Sequence, residues 1–248
     1  MLNFFKNHPF AVEAFFERST VLTFAVPKEE VAALIPACLL PDTFNDQWAF
    51  ITIAMVSTRD LRPKGWPRWM GNNFFLIGYR AFVRYKNNAG KNLRGLYILK
   101  SETNKRKMQI AGNIFTRYHY TTTDITERPT SDTIHLSSQQ SGFNVELSYA
   151  PTEDILLPTT SPFATWKEAR RFAGPLPFTF TYNPANQEVL IIEGVRQYWR
   201  PSPVKVLNYH FEFLKQLNIS TPVLANAFMV ENIPYYWKKG KIEKWIGH

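Results

Sequence analysis

The chain has 248 residues, 45% hydrophobic and 15% aromatic, enough apolar surface for a substantial core. Its 29 basic and 20 acidic residues give a net charge of +9, which attracts anions, yet the cations are spread along the chain and form no concentrated nucleic-acid patch. One cysteine, Cys38, excludes an intrachain disulfide, and no apolar run approaches the ~20 residues of a membrane-spanning helix.

The opening "MLNFFKNHPFAVEAFFERS" is interrupted by Lys6, His8, Pro9 and Glu13, unlike the continuous apolar stretch of a signal peptide. A cytoplasmic protein is expected. "STVLTFAV" (19–26) reads as a strand, and "PKEEVAALIP" (27–36) as a short helix. Pro27 suits that helix's first turn, Glu29 and Glu30 its positive end, and Pro36 its exit. "LIPACLLP" gives Cys38 the setting of a small buried thiol. "QWAFITIAMV" (47–56) is a buried strand. Residues 57–73, "STRDLRPKGWPRWMGNN", show no periodicity; they read either as a binding loop or lid, or as a solvated loop pinned by Trp66 and Trp69.

"FFLIGYRAFVRY" (74–85) and "NLRGLYILKS" (92–101) flank "KNNAG", a hairpin signal. "NIFTRYHYTTTD" (113–124) reads as a further strand. So do 132–138, 143–150, 177–183, 188–199 and 223–237. Helices are expected at 161–174, capped by Ser161, and at 203–217, where Val204, Leu207, Phe211 and Leu214 keep helical spacing. The acid pair Glu153–Asp154 reads as a surface turn. The tail "YYWKKGKIEKWIGH" mixes aromatics with lysines, as membrane-surface segments do, but solvated tails share that composition; a membrane partner is not expected. The sum is an α+β, mainly β, single domain spanning 1–248. It would hold a large antiparallel β-barrel or curved sheet of about nine strands with about three short helices.

No Gly-rich phosphate loop, zinc-ligand spacing or nucleophile elbow occurs, so no cofactor and no metal are expected. The chemistry-bearing stretch is "SETNKRKMQIAGN" (101–113), where Lys105, Arg106 and Lys107 adjoin. A lysine attacks a carbonyl only as the free amine. Freeing a tenth of it at pH 7 needs a pKa near ~8 instead of ~10.4, or about 3.3 kcal/mol. A like charge ~7 Å away supplies about 0.6 kcal/mol in water, but about 2.4 kcal/mol at an effective dielectric of ~20. The cluster is therefore reactive inside a dry cavity and a plain surface turn outside one.

"FAVPKEEVAALIPACL" (24–39) and "AFITIAM" (49–55) resemble the N-terminal part of acetoacetate decarboxylase, and "SETNKR" (101–106) resembles that family's serine followed by two adjacent lysines. "NHPFAVEAFFERS", "RPKGWPRWMGNNFFLIGYR" and "RGLYILKSETNKRKM" are more similar to the uncharacterised YqjF-like branch of the same superfamily. The resemblance implies an acetoacetate decarboxylase-like fold. It puts Lys105 in the Schiff-base place and Arg106 in that of the second cation, an activation the decarboxylase itself exemplifies. Arg18 would stand near a substrate carboxylate, with Arg59 and Arg62 as further substrate-binding cations. Two departures stand out: residues 60–73 contain no glutamate, where the decarboxylase carries a functional one, and the second lysine is an arginine. Non-covalent binding of a small anionic or apolar ligand is therefore favoured, with a Schiff-base lyase acting on a small keto-acid as the alternative. The expected partner is a small molecule, not a nucleic acid; a homo-oligomer stays open.

Overall fold

A computed structural model describes residues 6–148, 157–174, 176–245 and 247. Its strands are β1 (Val12–Pro27), β2 (Leu40–Pro41), β3 (Trp48–Pro63), β4 (Asn72–Lys86), β5 (Asn92–Thr103), β6 (Tyr120–Thr122), β7 (Thr126–Pro129) and β8 (Thr133–Ser138). They continue with β9 (Phe143–Ser148), β10 (Phe178–Asn183), β11 (Glu188–Arg196), β12 (Ser202–Pro203), β13 (Lys205–Phe211), β14 (Val223–Trp237) and β15 (Lys241–Lys244). The helices are α1 (Lys28–Leu34), α2 (Arg106–Phe115), α3 (Trp166–Phe172) and α4 (Glu212–Gln216), with one 3₁₀ turn at Arg68–Met70.

The protein is mainly β, as expected. An 11-stranded sheet runs β12-β14-β1-β3-β4-β5-β10-β11-β15, with β2 on β4 and β6 on β5. It curves until β11 meets β14 again over Gly194–Trp237, Val195–Tyr236 and Arg196–Tyr235. All its pairings are antiparallel except those of β5 with β10 and with β6. A second sheet of four strands runs β13-β9-β8-β7.

Alternation along the long strands divides the core. Leu22, Phe24, Ile51, Ile53, Ile77 and Tyr79 share one cluster with Ile134, Leu136, Phe143 and Val145 of the second sheet. The opposite face carries Ala25, Phe50, Phe82 and Ala225, which pack with Phe163 and Ala169 under α3. Successive side chains of a strand point to opposite faces, so both faces here are apolar because both are covered.

Four local expectations need correction. Residues 113–115 end α2 and are not a strand; Met108, Ala111, Gly112 and Phe115 recur at helical spacing and all face one cavity. His119 then takes a left-handed φ of 51°, so only Tyr120–Thr122 pair as a strand. Residues 205–211 form the edge strand β13 on β9, with the helix confined to Glu212–Gln216. Pairing with β9 overrides a helical spacing whose Leu207 is left exposed. The irregular stretch 57–73 is largely hairpin: β3 continues through Pro63 and β4 begins at Asn72. Helix α3 starts later than expected, with Thr165 as cap, its Oγ1 accepting from the Glu168 N–H at 3.1 Å. Glu153, Asp154, the end of the 143–150 strand, Ile246 and His248 lie outside the described residues.

Candidate functional site

One face of β4 presents Phe74, Leu76, Gly78, Arg80 and Phe82 in turn, every second residue of the strand. Arg80 is a charge placed inside an apolar alternation. Together with Ala54, Val56 and Thr58 of β3, Ile98 of β5, Thr179 of β10, and Tyr235 and Trp237 of β14, this face surrounds a cavity of about 740 Å³. Helix α2 roofs one side through Met108, Gly112 and Phe115, and Trp66 at the hairpin tip reaches the rim.

Arg80 sits beside a register slip. Tyr79 pairs with Lys100 but Arg80 with Ile98, so β5 carries one extra residue there, the kind of bulge that re-aims neighbouring side chains. Gly78 provides the room: a Cβ on it would lie 2.7 Å from the Arg80 Nε and 2.9 Å from Nη2. The guanidinium therefore lies across the glycine, desolvated in the wall, and lines the cavity. Its Nε is buried without a hydrogen-bond partner. Burial lowers its pKa, tyrosines 235, 120 and 118 act against that, and Arg196 reinforces it.

Arg196 lies on β11, stacked over Trp199 at 4.9 Å and Tyr235 at 5.5 Å, its Nη2 donating to the Leu176 carbonyl at 3.0 Å. Tyr235 in turn needs Gly194, where any Cβ would collide with its hydroxyl. Tyr120 is set by Asn113 of α2, whose Nδ2 donates to its carbonyl at 2.9 Å and whose Oδ1 accepts from its N–H at 2.8 Å. Burial raises the Tyr118 phenol far above its ordinary value and pushes Tyr120 up to about 12. Both phenols are thus protonated donors throughout the physiological range.

Arg62, Lys64, Arg80 and Arg196 line this space, and among the described lining residues there is no aspartate or glutamate. Other buried charges among the described residues are paired with opposite ones. The fully buried Asp42 carboxylate accepts from Arg84 at 2.5 Å and Arg94 at 2.7 Å, and Glu102 is held by Lys100 at 2.9 Å. Arg80 and Arg196 are left without an anion among the described residues, and a buried charge with no counter-ion is costly.

Of the residues singled out from sequence, Arg62 lines the cavity, with its Nη2 tied to Glu13 at 2.7 Å and its Nε donating to the Trp66 carbonyl at 2.8 Å. Arg18 pairs with Glu127, and Arg59 with Glu17 at 2.6 Å; neither lines the cavity. Lys105 and Arg106 are exposed at the start of α2, also outside the cavity. The dry enclosure that would couple those two cations strongly is not built around them, so the weaker aqueous interaction applies. Sequence reasoning passed over Arg80, Arg196, Tyr118, Tyr120 and Tyr235. The available signal was a glycine followed two residues later by arginine within a strand, in "GYR" (78–80) and "GVR" (194–196).

His8 also lines the cavity, with Nδ1 buried and unpartnered, and burial lowers its pKa to about 4. A base held neutral in the fold and titrating near 6.5 when unfolded stabilises fully above pH 6.5, and that contribution is lost as pH falls through about 4. The loss is on the order of 3 kcal/mol. Chemical denaturation across this range should show the acid limb flattened in His8→Asn, which tolerates the left-handed φ of 51° at that position. An unchanged limb would show that His8 does not carry it.

Among the described residues no group of three or more His, Cys, Asp or Glu is placed to hold a metal, and no helix is long and apolar enough to cross a membrane. The family profile DUF2071, described as an uncharacterized conserved protein (COG2071), matches residues 14–243. No curated protein matches the sequence. Solved structures share the fold, among them three of low sequence identity. Acetoacetate decarboxylase from Legionella pneumophila subsp. pneumophila str. Philadelphia 1 aligns with TM-score 0.64 at 10% identity, over 95% of this chain and 88% of that one. The enduracididine biosynthesis enzyme MppR complexed with pyruvate gives TM-score 0.56 at 10% identity, over 94% and 90%. An acetoacetate decarboxylase-like enzyme from Sphingomonas wittichii RW1 gives 0.56 at 11%, over 95% and 93%.

Proposed function

For a chain that belongs to the DUF2071 family and has an acetoacetate decarboxylase-like fold, we propose that the cavity binds a small anionic ligand without covalent chemistry, the anion paired with Arg80. One observation carries the reading: a deeply set guanidinium, its Nε unpartnered, faces a cavity whose described lining holds no carboxylate. A ligand carboxylate supplies the missing charge and matches the planar fork of the guanidinium. Tyr118 and Tyr120 add neutral donors nearby. That MppR is seen with pyruvate, itself a small carboxylate, agrees with this use of the fold. The one cysteine, buried and free, suits a cytoplasmic setting.

The alternative is a lyase whose Lys105 condenses with a small keto-acid. The described lining supplies only one amine, the exposed Lys64, which rests 4.1 Å over the Tyr236 ring. Incubation with acetoacetate and borohydride is expected to leave the mass of the protein unchanged, while carboxylates raise its melting temperature reversibly. A covalent adduct on Lys105 would overturn the non-covalent reading in favour of the lyase. Failure of every carboxylate to stabilise the protein would remove the anion site.

A further inference from the structure

The shape of the cavity says more about the ligand than its charge does. Arg80 lies at its closed end. The next residue on the same face of β4, Phe82, is buried and packs against Phe50, whose ring stacks on Phe163 at 5.4 Å. Beyond Arg80 the interior is therefore solid. In the other direction the strand runs from Arg80 past Gly78, Leu76 and Phe74 to the hairpin tip, where Trp66 is 50% exposed. The guanidinium lies over Gly78, and four residues at ~3.3 Å each separate Gly78 from Phe74, a slot on the order of 13 Å long.

The walls between these ends are apolar. Leu76 and Val56 line the middle, Leu61, Phe74 and Met108 the outer part, where Phe74 and Met108 belong to one buried cluster. Arg196 accompanies Arg80 in the lining, and the remaining cations, Arg62 and Lys64, lie toward the hairpin tip. A slot with its cations at the floor and mainly apolar walls above is complementary to a molecule with an acid at one end and hydrocarbon along its length. A keto-acid of a few atoms would satisfy Arg80 but leave most of the 740 Å³ and its apolar lining unfilled.

Resting on the anion site proposed above, we infer that the ligand is an elongated amphiphilic carboxylic acid. It enters head first, with its carboxylate on Arg80 and its apolar body extended toward Trp66. Bound this way, the acid gives up water at the floor in exchange for the guanidinium and the Tyr118 and Tyr120 hydroxyls. Each methylene that follows leaves water for an apolar wall.

The test is a comparison of pyruvate, hexanoate, decanoate and decan-1-ol by isothermal titration, each below its aggregation limit. Quenching of tryptophan fluorescence gives a second readout, since Trp66, Trp199 and Trp237 line the cavity. Decanoate is expected to bind about tenfold or more tighter than hexanoate, and hexanoate tighter than pyruvate. Decan-1-ol, lacking the charge, should bind about tenfold or more weaker than decanoate. Arg80→Gln should erase the preference for acid over alcohol, and Arg80→Lys should keep part of it. Equal affinity for pyruvate and decanoate would overturn the elongated ligand and leave the anion site standing. Equal affinity of wild-type protein for decanoate and decan-1-ol would overturn both, and that comparison needs no variant to fold.

Discussion

Arg80→Met should make the unliganded protein more stable while it abolishes anion binding. The two effects have opposite signs because one cause produces both. In the free protein the guanidinium is withdrawn from bulk water, its Nε buried and unpartnered, and has tyrosines and a second arginine as neighbours, with no carboxylate among the described lining residues. Exchanging a buried ion pair for apolar side chains is often stabilising by about 1–4 kcal/mol, and removing a buried guanidinium that has no counter-ion should act in the same direction. For a chain of this size that is ~2–4 °C of melting temperature per kcal/mol. The same exchange removes the fork that receives the anion. Truncating one partner of a buried charge pair costs about 2–5 kcal/mol of affinity. Differential scanning calorimetry with and without a saturating carboxylate reads both. A variant that melts lower than wild type in the free state would mean that Arg80 is already satisfied by the protein, contrary to its unpartnered Nε. A function-bearing residue that costs stability is a familiar trade.

Phe50→Ala should lower stability by about 3–5 kcal/mol, the usual range for deleting a buried phenyl ring. Phe50 is fully buried, stacked on Phe163 and within 5.1 Å of Phe172 and 5.8 Å of Phe82. It joins β3 to the helix α3 cluster that closes the cavity floor. Denaturant unfolding measures the loss. The hole opens beneath Arg80, on the side away from Trp66, so the ranking of longer over shorter acids should be unchanged while absolute affinities fall with stability. A loss below about 1 kcal/mol would show that the floor collapses around the hole, and the slot would then keep its length.

The sheet was legible because its signals are local. The hairpin at "KNNAG" depends on a turn in which Gly90 takes φ 77°, and the apolar runs of β3, β4 and β14 are long enough to be strands in almost any setting. The errors fell where two elements compete for the same residues. Residues 205–211 satisfy a helical spacing, but β9 offers them a ladder, and ladder partners distant in sequence are invisible in a local window. Likewise, "QIAGNIF" was divided between turn and strand. Its stripe of Met108, Ala111, Gly112 and Phe115 declares itself only once a concave surface exists to receive it.

The candidate site divides in the same way. The cations of "NKRK" attract notice because they are adjacent in sequence, yet adjacency in a chain is not proximity in a dry space, and Lys105 and Arg106 face solvent. Arg80 sits quietly in "FLIGYRAF". It becomes conspicuous only when alternation shows that Leu76, Gly78 and Phe82 share its face and that the face is an interior one. The residues that fill the electrostatic surroundings of Arg80 come from β11, β14 and the segment after α2. No local reading could have gathered them.

A crystal of the wild-type protein soaked in a bromine-labelled carboxylate such as 4-bromobenzoate tests the central claim most directly, because the anomalous signal locates the bromine without reference to the protein's phases. The expected result is a bromine peak in the slot between Leu76 and the hairpin tip, with the carboxylate oxygens in hydrogen-bond contact with the Arg80 guanidinium. A carboxylate bound elsewhere, or Arg80 found paired with an acidic side chain of its own chain, would contradict it.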